Sequence, residues 1–203
     1  MNRRAATLLL PLLLAVAGCT ATPPEAAAPG RPAPSRPSPF ADCATLTTAP
    51  TTASTTTPTS APGDPLPALS LSCFTGGAPV ALREIPGPAV VNIWASWCGP
   101  CRKELPAFQR LSQSTAGQLQ VIGVNSRDSR AAAQSIGEDF GVRFPMLVDQ
   151  GEALQRALNR NAFPLTLFID GQGRIRHTDT SGALDDARLA ALVREHLGVA
   201  VPA

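Results

Sequence analysis

Ala89-Val90-Val91-Asn92-Ile93-Trp94-Ala95 is apolar at every position but one, the pattern of a central strand buried on both faces. Leu66 to Phe74 and Pro79 to Ile85 read as short strands flanked by the turn Gly76-Gly77. After the central run, Leu105, Phe108 and Leu111 recur at helical spacing and predict a helix over 98–114, with a kink at Pro106. Leu119 to Asn125 reads as the next strand, Ser129 to Phe140 as a helix, Phe144 to Val148 as a short strand and Glu152 to Leu158 as a helix. Leu165 to Asp170 and Arg174 to Thr178 form a hairpin around Gly171-Gln172-Gly173. Asp185 to Leu197 closes the series as an amphipathic helix, with Asp185 and Asp186 near its positive end and Arg194 and His196 near its negative end. Strands alternating with helices, followed by a hairpin, predict an α/β domain: a mixed central sheet with helices on both faces.

The hydrophobic pattern changes toward the N-terminus. Arg3 and Arg4 precede an apolar stretch from Ala5 to Ala17, broken only by Thr7 and Pro11. That stretch is shorter than the roughly 20 residues needed to span a bilayer, so it reads as a cleaved signal over residues 1–18. Val16-Ala17-Gly18-Cys19 resembles a bacterial lipoprotein processing box, which makes Cys19 the expected lipidated residue and places the protein outside the cytoplasm on the membrane. An ordinary secretory signal with an incidental cysteine is the alternative. From Cys19 to Leu66 the chain is dominated by Pro, Thr, Ala and Ser and reads as a flexible tether. Residues 67–199 then form one ordinary domain.

Charge excludes one class of partner. The chain holds 17 basic and 15 acidic residues, and loss of Arg3 and Arg4 with the signal would leave 15 of each. No basic field exists to hold nucleic acid or anionic lipid.

The chemistry sits just past the central strand, in Trp97-Cys98-Gly99-Pro100-Cys101. A strand feeding a helix whose first turn carries two thiols is the layout of a dithiol that opens and closes as a disulfide. Cys98 would meet the unpaired N–H groups and the positive end of the helix, which stabilise a thiolate, and Cys101 is placed to resolve the mixed disulfide. Pro100 lacks an N–H at little cost in a first turn, and Gly99 leaves room for a partner chain. Zinc would need two further ligands at short spacing; beyond Cys101 only His177 and His196 follow, so no metal site is expected. The reaction needs no bound cofactor, because the sulfurs carry the electrons.

The stretch from Val90 through Trp97-Cys98-Gly99-Pro100-Cys101-Arg102-Lys103-Glu104-Leu105-Pro106 resembles the thioredoxin superfamily, in its extracytoplasmic TlpA/ResA-type branch. Phe163-Pro164-Leu165-Thr166-Leu167-Phe168-Ile169-Asp170 is similar to that family's second signature. The resemblance implies a thioredoxin-like strand order and a cis bond before Pro164 that turns the backbone of Phe163 toward Cys98. It also implies a reductase that acts on protein disulfides, is recharged by a membrane electron donor protein and serves cytochrome c maturation or another apoprotein. Where cytoplasmic thioredoxins carry a buried aspartate this chain has Asn92, which cannot take a proton, and the acceptor for Cys101 is left open. Glu104, three residues after Cys101, is either that proton relay or a carboxylate favoured by the helix dipole alone.

Trp97 is expected to shield the nucleophile or contact a partner, and Trp94 to lie in the core. Cys43 and Cys73 remain after the other three cysteines are assigned, and outside the cytoplasm they are expected to pair as a structural staple, with electron relay as the alternative. Two other functions are weighed: a peroxiredoxin-like antioxidant, against which the Pro and Thr normally preceding such a cysteine are missing before Cys98, and a non-catalytic binding lipoprotein on the same scaffold.

Overall fold

The computed structural model describes residues 36–50 and 63–202. In chain order these form β1 (Ser70–Cys73), β2 (Val80–Ala81), a 3-10 turn (Leu82–Glu84), β3 (Ala89–Trp94), α1 (Gly99–Ser114) and β4 (Gln120–Ser126). There follow α2 (Arg130–Asp139), β5 (Met146–Asp149), α3 (Ala153–Ala157), β6 (Leu165–Ile169), β7 (Ile175–Asp179) and α4 (Asp186–Leu197). The strands make one seven-stranded sheet in the order β2-β1-β5-β4-β3-β6-β7. β3, β4 and β5 run parallel, whereas β1, β6 and β7 each pair antiparallel with their neighbours.

This topology explains which face each helix covers. The β3-α1-β4 and β4-α2-β5 crossovers step in the same direction across the sheet, and right-handed connections then put α1 and α2 on one face. Ala107, Phe108 and Leu111 of α1, Ala133 of α2 and Leu189, Leu192 and Val193 of α4 pack with Val90, Trp94 and Phe168 on that face. Leu154 of α3 joins Val91, Ile93, Ile122, Leu165 and Leu167 on the other. β3 is buried at all six positions, including Trp94, as its near-continuous apolar run predicts.

The first strands are shorter than the apolar pattern predicts. Pro65 and Pro67 flank Leu66 and offer no N–H to a ladder, so β1 starts at Ser70. After Ala81 the chain tightens into the 3-10 turn, which ends before Pro86.

The expected tether over 19–66 needs a correction at its described end. Phe40, Cys43 and Leu46 are each at most 4% exposed, and Phe40 meets the Phe74 ring edge-on at 4.8 Å between centroids. Apolar burial at these three positions, with a disulfide joining Cys43 to Cys73, turns residues 37–48 into part of the domain despite their polar composition. Leu66 is also buried, and Pro65 bridges to Arg174. The signal over residues 1–18 and the lipidation residue Cys19 lie outside the described residues.

Candidate active site

β3 carries the chain to the edge of the core and releases it into a short turn from which α1 starts. Cys98 is the N-cap of α1, in an extended conformation, and Pro100 occupies the first turn, where a missing N–H costs nothing. The Cys98 and Cys101 sulfurs are bonded, with Cα atoms 5.3 Å apart. Cys98 Sγ also accepts a hydrogen bond from the Cys101 N–H at 3.2 Å, the geometry that stabilises a thiolate once the bond is opened. Cys98 is 5% exposed and Cys101 is 0% exposed, so of the two residues only Cys98 touches solvent. A side chain added at Gly99 would meet nothing within 4 Å, which leaves that flank open to a partner's backbone.

The turn before Cys98 is braced from two neighbouring strands. Asp128, just past β4, accepts hydrogen bonds from the Ser96 N–H and hydroxyl at 2.5 and 2.6 Å and from Asn125 Nδ2 at 2.9 Å. Trp97 is 54% exposed, yet its Nε1 donates to the Arg127 carbonyl at 2.9 Å. The Arg127 guanidinium lies 5.8 Å from the Trp97 ring. Register does the rest: Ile93 pairs with Leu165, so residues 163 and 164 arrive beside the end of β3. The Phe163–Pro164 peptide bond is cis, and the Phe163 ring packs edge-on against Trp97 at 5.1 Å between centroids.

One turn along α1 from the dithiol, a buried polar cluster joins α1 to β3. Glu104, one turn after Cys101, is fully buried; its Oε1 accepts from Asn92 Nδ2 at 2.7 Å and its Oε2 from the Leu184 N–H at 3.1 Å. Burial pushes the Glu104 carboxyl up to about 7 from 4.5, against the opposing pull of the Asn92 and Leu184 hydrogen bonds and with a further push from the Asp179 carboxylate. Asn92 therefore does not replace the aspartate of cytoplasmic thioredoxins as a proton carrier; it holds a carboxyl supplied by α1 instead.

Trp97, Cys98, Gly99, Pro100, Cys101, Glu104, Phe163 and Pro164 thus gather at one end of the sheet. Cys43 and Cys73 do not join them. Their disulfide belongs to the cluster of Leu71, Val91, Ile93 and Leu147, on the face opposite the one that holds Cys98 and Cys101. Sequence reasoning did not single out Arg127 and Asp128, although both follow the C-terminal end of a parallel strand, where α/β sheets collect site residues. Asp179 lay hidden for a stronger reason: 75 residues separate it from Glu104, and only the pairing of β6 with β7 brings it near.

Comparison with known proteins agrees with this arrangement. The Redoxin family model matches residues 61–192. The thiol-disulfide oxidoreductase ResA of Halalkalibacterium halodurans is 30% identical over 108 residues, 52% of this chain and 61% of the relative. The thiol:disulfide interchange protein DsbE of Pseudomonas fluorescens biotype C is 33% identical over 116 residues, 56% of this chain and 64% of the relative. The chain spans less than two thirds of the length of either. A secreted Mycobacterium tuberculosis disulfide oxidoreductase homologous to E. coli DsbE matches in structure with a TM-score of 0.57 at 21% identity, over 63% of this chain and 96% of that one; a likeness at this identity concerns the fold. With the family match covering the sheet and the dithiol seated at its end, this chain belongs to the Redoxin family, has a thioredoxin-like fold and is similar to thiol–disulfide oxidoreductases of the ResA/DsbE type.

Proposed function

We propose that the chain works as an extracytoplasmic reductase of protein disulfides, held to the membrane through a lipid on Cys19. The observation that carries the reading is the asymmetry of the dithiol: Cys98 caps the helix and keeps a trace of exposure, whereas Cys101 is fully buried one turn before the buried Glu104 carboxyl. In the reduced enzyme the Cys98 thiolate attacks a partner disulfide, whose S–S bond breaks as the mixed disulfide forms. One partner sulfur leaves as thiolate and takes a proton from water. Cys101 then gives its proton to the Glu104 carboxylate and attacks Cys98 Sγ, which releases the second partner thiolate. Two electrons have passed to the partner, and the Cys98–Cys101 disulfide must be reduced again by a donor protein at the membrane. Trp97 and Phe163 pack together as a contact surface for the partner strand, beside the backbone that Pro164 presents. Resemblance to the TlpA/ResA branch supports an apoprotein of cytochrome c maturation as the substrate class.

Trapping tests the reading. Cys101→Ala, which cannot resolve the intermediate, is expected to accumulate reductant-sensitive adducts with host proteins, and the double variant lacking Cys98 as well is expected to form none. A Cys101→Ala protein free of adducts in its host overturns the assignment. Cys19→Ala is expected to move the protein from the membrane fraction to the soluble extracytoplasmic fraction; retention on the membrane refutes the anchor.

A further inference from the structure

A buried polar side chain costs stability unless it is partnered, and one row of them crosses three strands of this sheet. Asn92 of β3 pairs with Thr166 of β6, which pairs with Asp179 of β7, so the three side chains stand in line on one face. They are 0%, 2% and 7% exposed. The face is that of α1, because Asn92 Nδ2 donates both to Glu104 Oε1 at 2.7 Å and to Thr166 Oγ1 at 3.3 Å. At the outer end, Asp179 Oδ1 accepts from the Ser181 N–H at 3.0 Å and the Ser181 hydroxyl at 2.8 Å. Its Oδ2 lies 3.8 Å from His177 Nε2, and His177 stacks on His196 of α4 with ring centroids 4.1 Å apart.

We infer that Asp179 is a positioning residue for the exchange reaction: its carboxylate, fixed by Ser181 at the end of the Asn92–Thr166 row, adds a negative charge to the surroundings of the buried Glu104 carboxyl. The inference rests on the reading of Glu104 as the base for Cys101. No hydrogen bond joins the two carboxyl groups in the structure; the influence is that of one negative charge on another through a dry interior, where screening is weak. It acts in the same direction as burial and against the bonds from Asn92 and Leu184. The groups facing Glu104 are Asn92 from β3, Asp179 from β7 and the Leu184 N–H before α4, with Cys101 one turn earlier on its own helix. Asp179 faces His177, which stacks on His196, and His196 in turn feels Arg176 of β7 and Arg188 and Glu195 of α4.

Asp179→Asn tests this, since the amide oxygen can still accept from Ser181 while the charge is gone. The measurement is the carbon-13 titration of the Glu104 side-chain carboxyl in the oxidised protein, its signal assigned by its loss in Glu104→Gln. The expected result is a midpoint below the value near 7, a fall in proton affinity of roughly three- to tenfold. Asp179→Ser, which removes the same charge with a smaller side chain, is expected to shift it the same way, whereas Asp179→Glu keeps the charge and the midpoint. An unmoved midpoint in the folded neutral variants overturns the inference. The base itself is read separately, from the pH profile of the carbon-13 signal of Cys101 Cβ in reduced Cys98→Ser protein. A Glu104 midpoint that moves while the Cys101 profile does not counts against Glu104 as the base, and so against any part of Asp179 in the exchange, and leaves only its electrostatic effect on Glu104.

Discussion

Glu104 gives this protein a pH dependence opposite in sign to that of a salt-bridged carboxylate. Its folded proton affinity lies above that of the unfolded chain, so between pH 4.5 and about 7 the native state binds more protons than the unfolded one. The stability that this carboxyl contributes is fully present below pH 4.5 and is lost as the pH climbs to about 7. A displacement of that size corresponds to about 3 kcal/mol. Glu104→Gln removes the slope. Its amide oxygen still accepts from Asn92 but its NH₂ confronts the Leu184 N–H, so the variant is also less stable overall by about 1–3 kcal/mol. Urea unfolding at about pH 5 and about pH 8 separates the two effects. The expected outcome is a loss on alkalinisation that is larger in the natural protein than in the variant; equal losses would mean that Glu104 titrates normally.

Single elements hold the site through contacts that local propensity opposes. Gly137 sits inside α2, where alanine would gain about 1 kcal/mol of helix propensity. An added Cβ there would lie 2.5 Å from Phe40 Cζ and 3.0 Å from Pro39 Cγ. Overpacking of this kind costs about 1–3 kcal/mol, so Gly137→Ala is expected to destabilise, by about 1 kcal/mol net, although it improves the isolated helix. Thermal unfolding checks this. A raised midpoint would show that the segment around Phe40 yields freely. The same elements show why one helix serves two tasks: α1 presents Cys98 at its N-cap, and its next turn turns Glu104 inward onto β3. The helical repeat alone allows that inward position, but it gives no reason for a carboxyl to occupy it.

For the molecule as a whole, the sheet divides the cysteines by job. Cys98–Cys101 lies with α1, and Cys43–Cys73 lies across the sheet, joining the end of β1 to a position 30 residues earlier. A loop of that length implies about 3–4 kcal/mol of stabilisation, through restriction of the unfolded chain. Replacing Cys43 and Cys73 together by alanine is expected to lower stability by about that amount while disulfide exchange with a small-molecule reductant keeps its rate. A proportionate loss of exchange in the folded variant would instead make this pair an electron relay.

Neighbouring residues and simple periodicity encode the local part of this fold. The apolar run of β3, the Cys98-Gly99-Pro100-Cys101 spacing, the hairpin around Gly171-Gln172-Gly173 and the charged ends of α4 each carry their meaning within a few residues. Leftover cysteines were enough to suggest Cys43–Cys73, because oxidising surroundings pair spare thiols. Tertiary structure decided the rest. The proline- and threonine-rich composition around Phe40 argues for solvent, yet a disulfide and an aromatic contact hold that segment in the core. Asn92, Thr166 and Asp179 look unrelated along the chain and become one row only through strand register. Electrostatic environment depends on which groups exclude water from which others, and that is a property of the packed sheet rather than of any stretch of sequence.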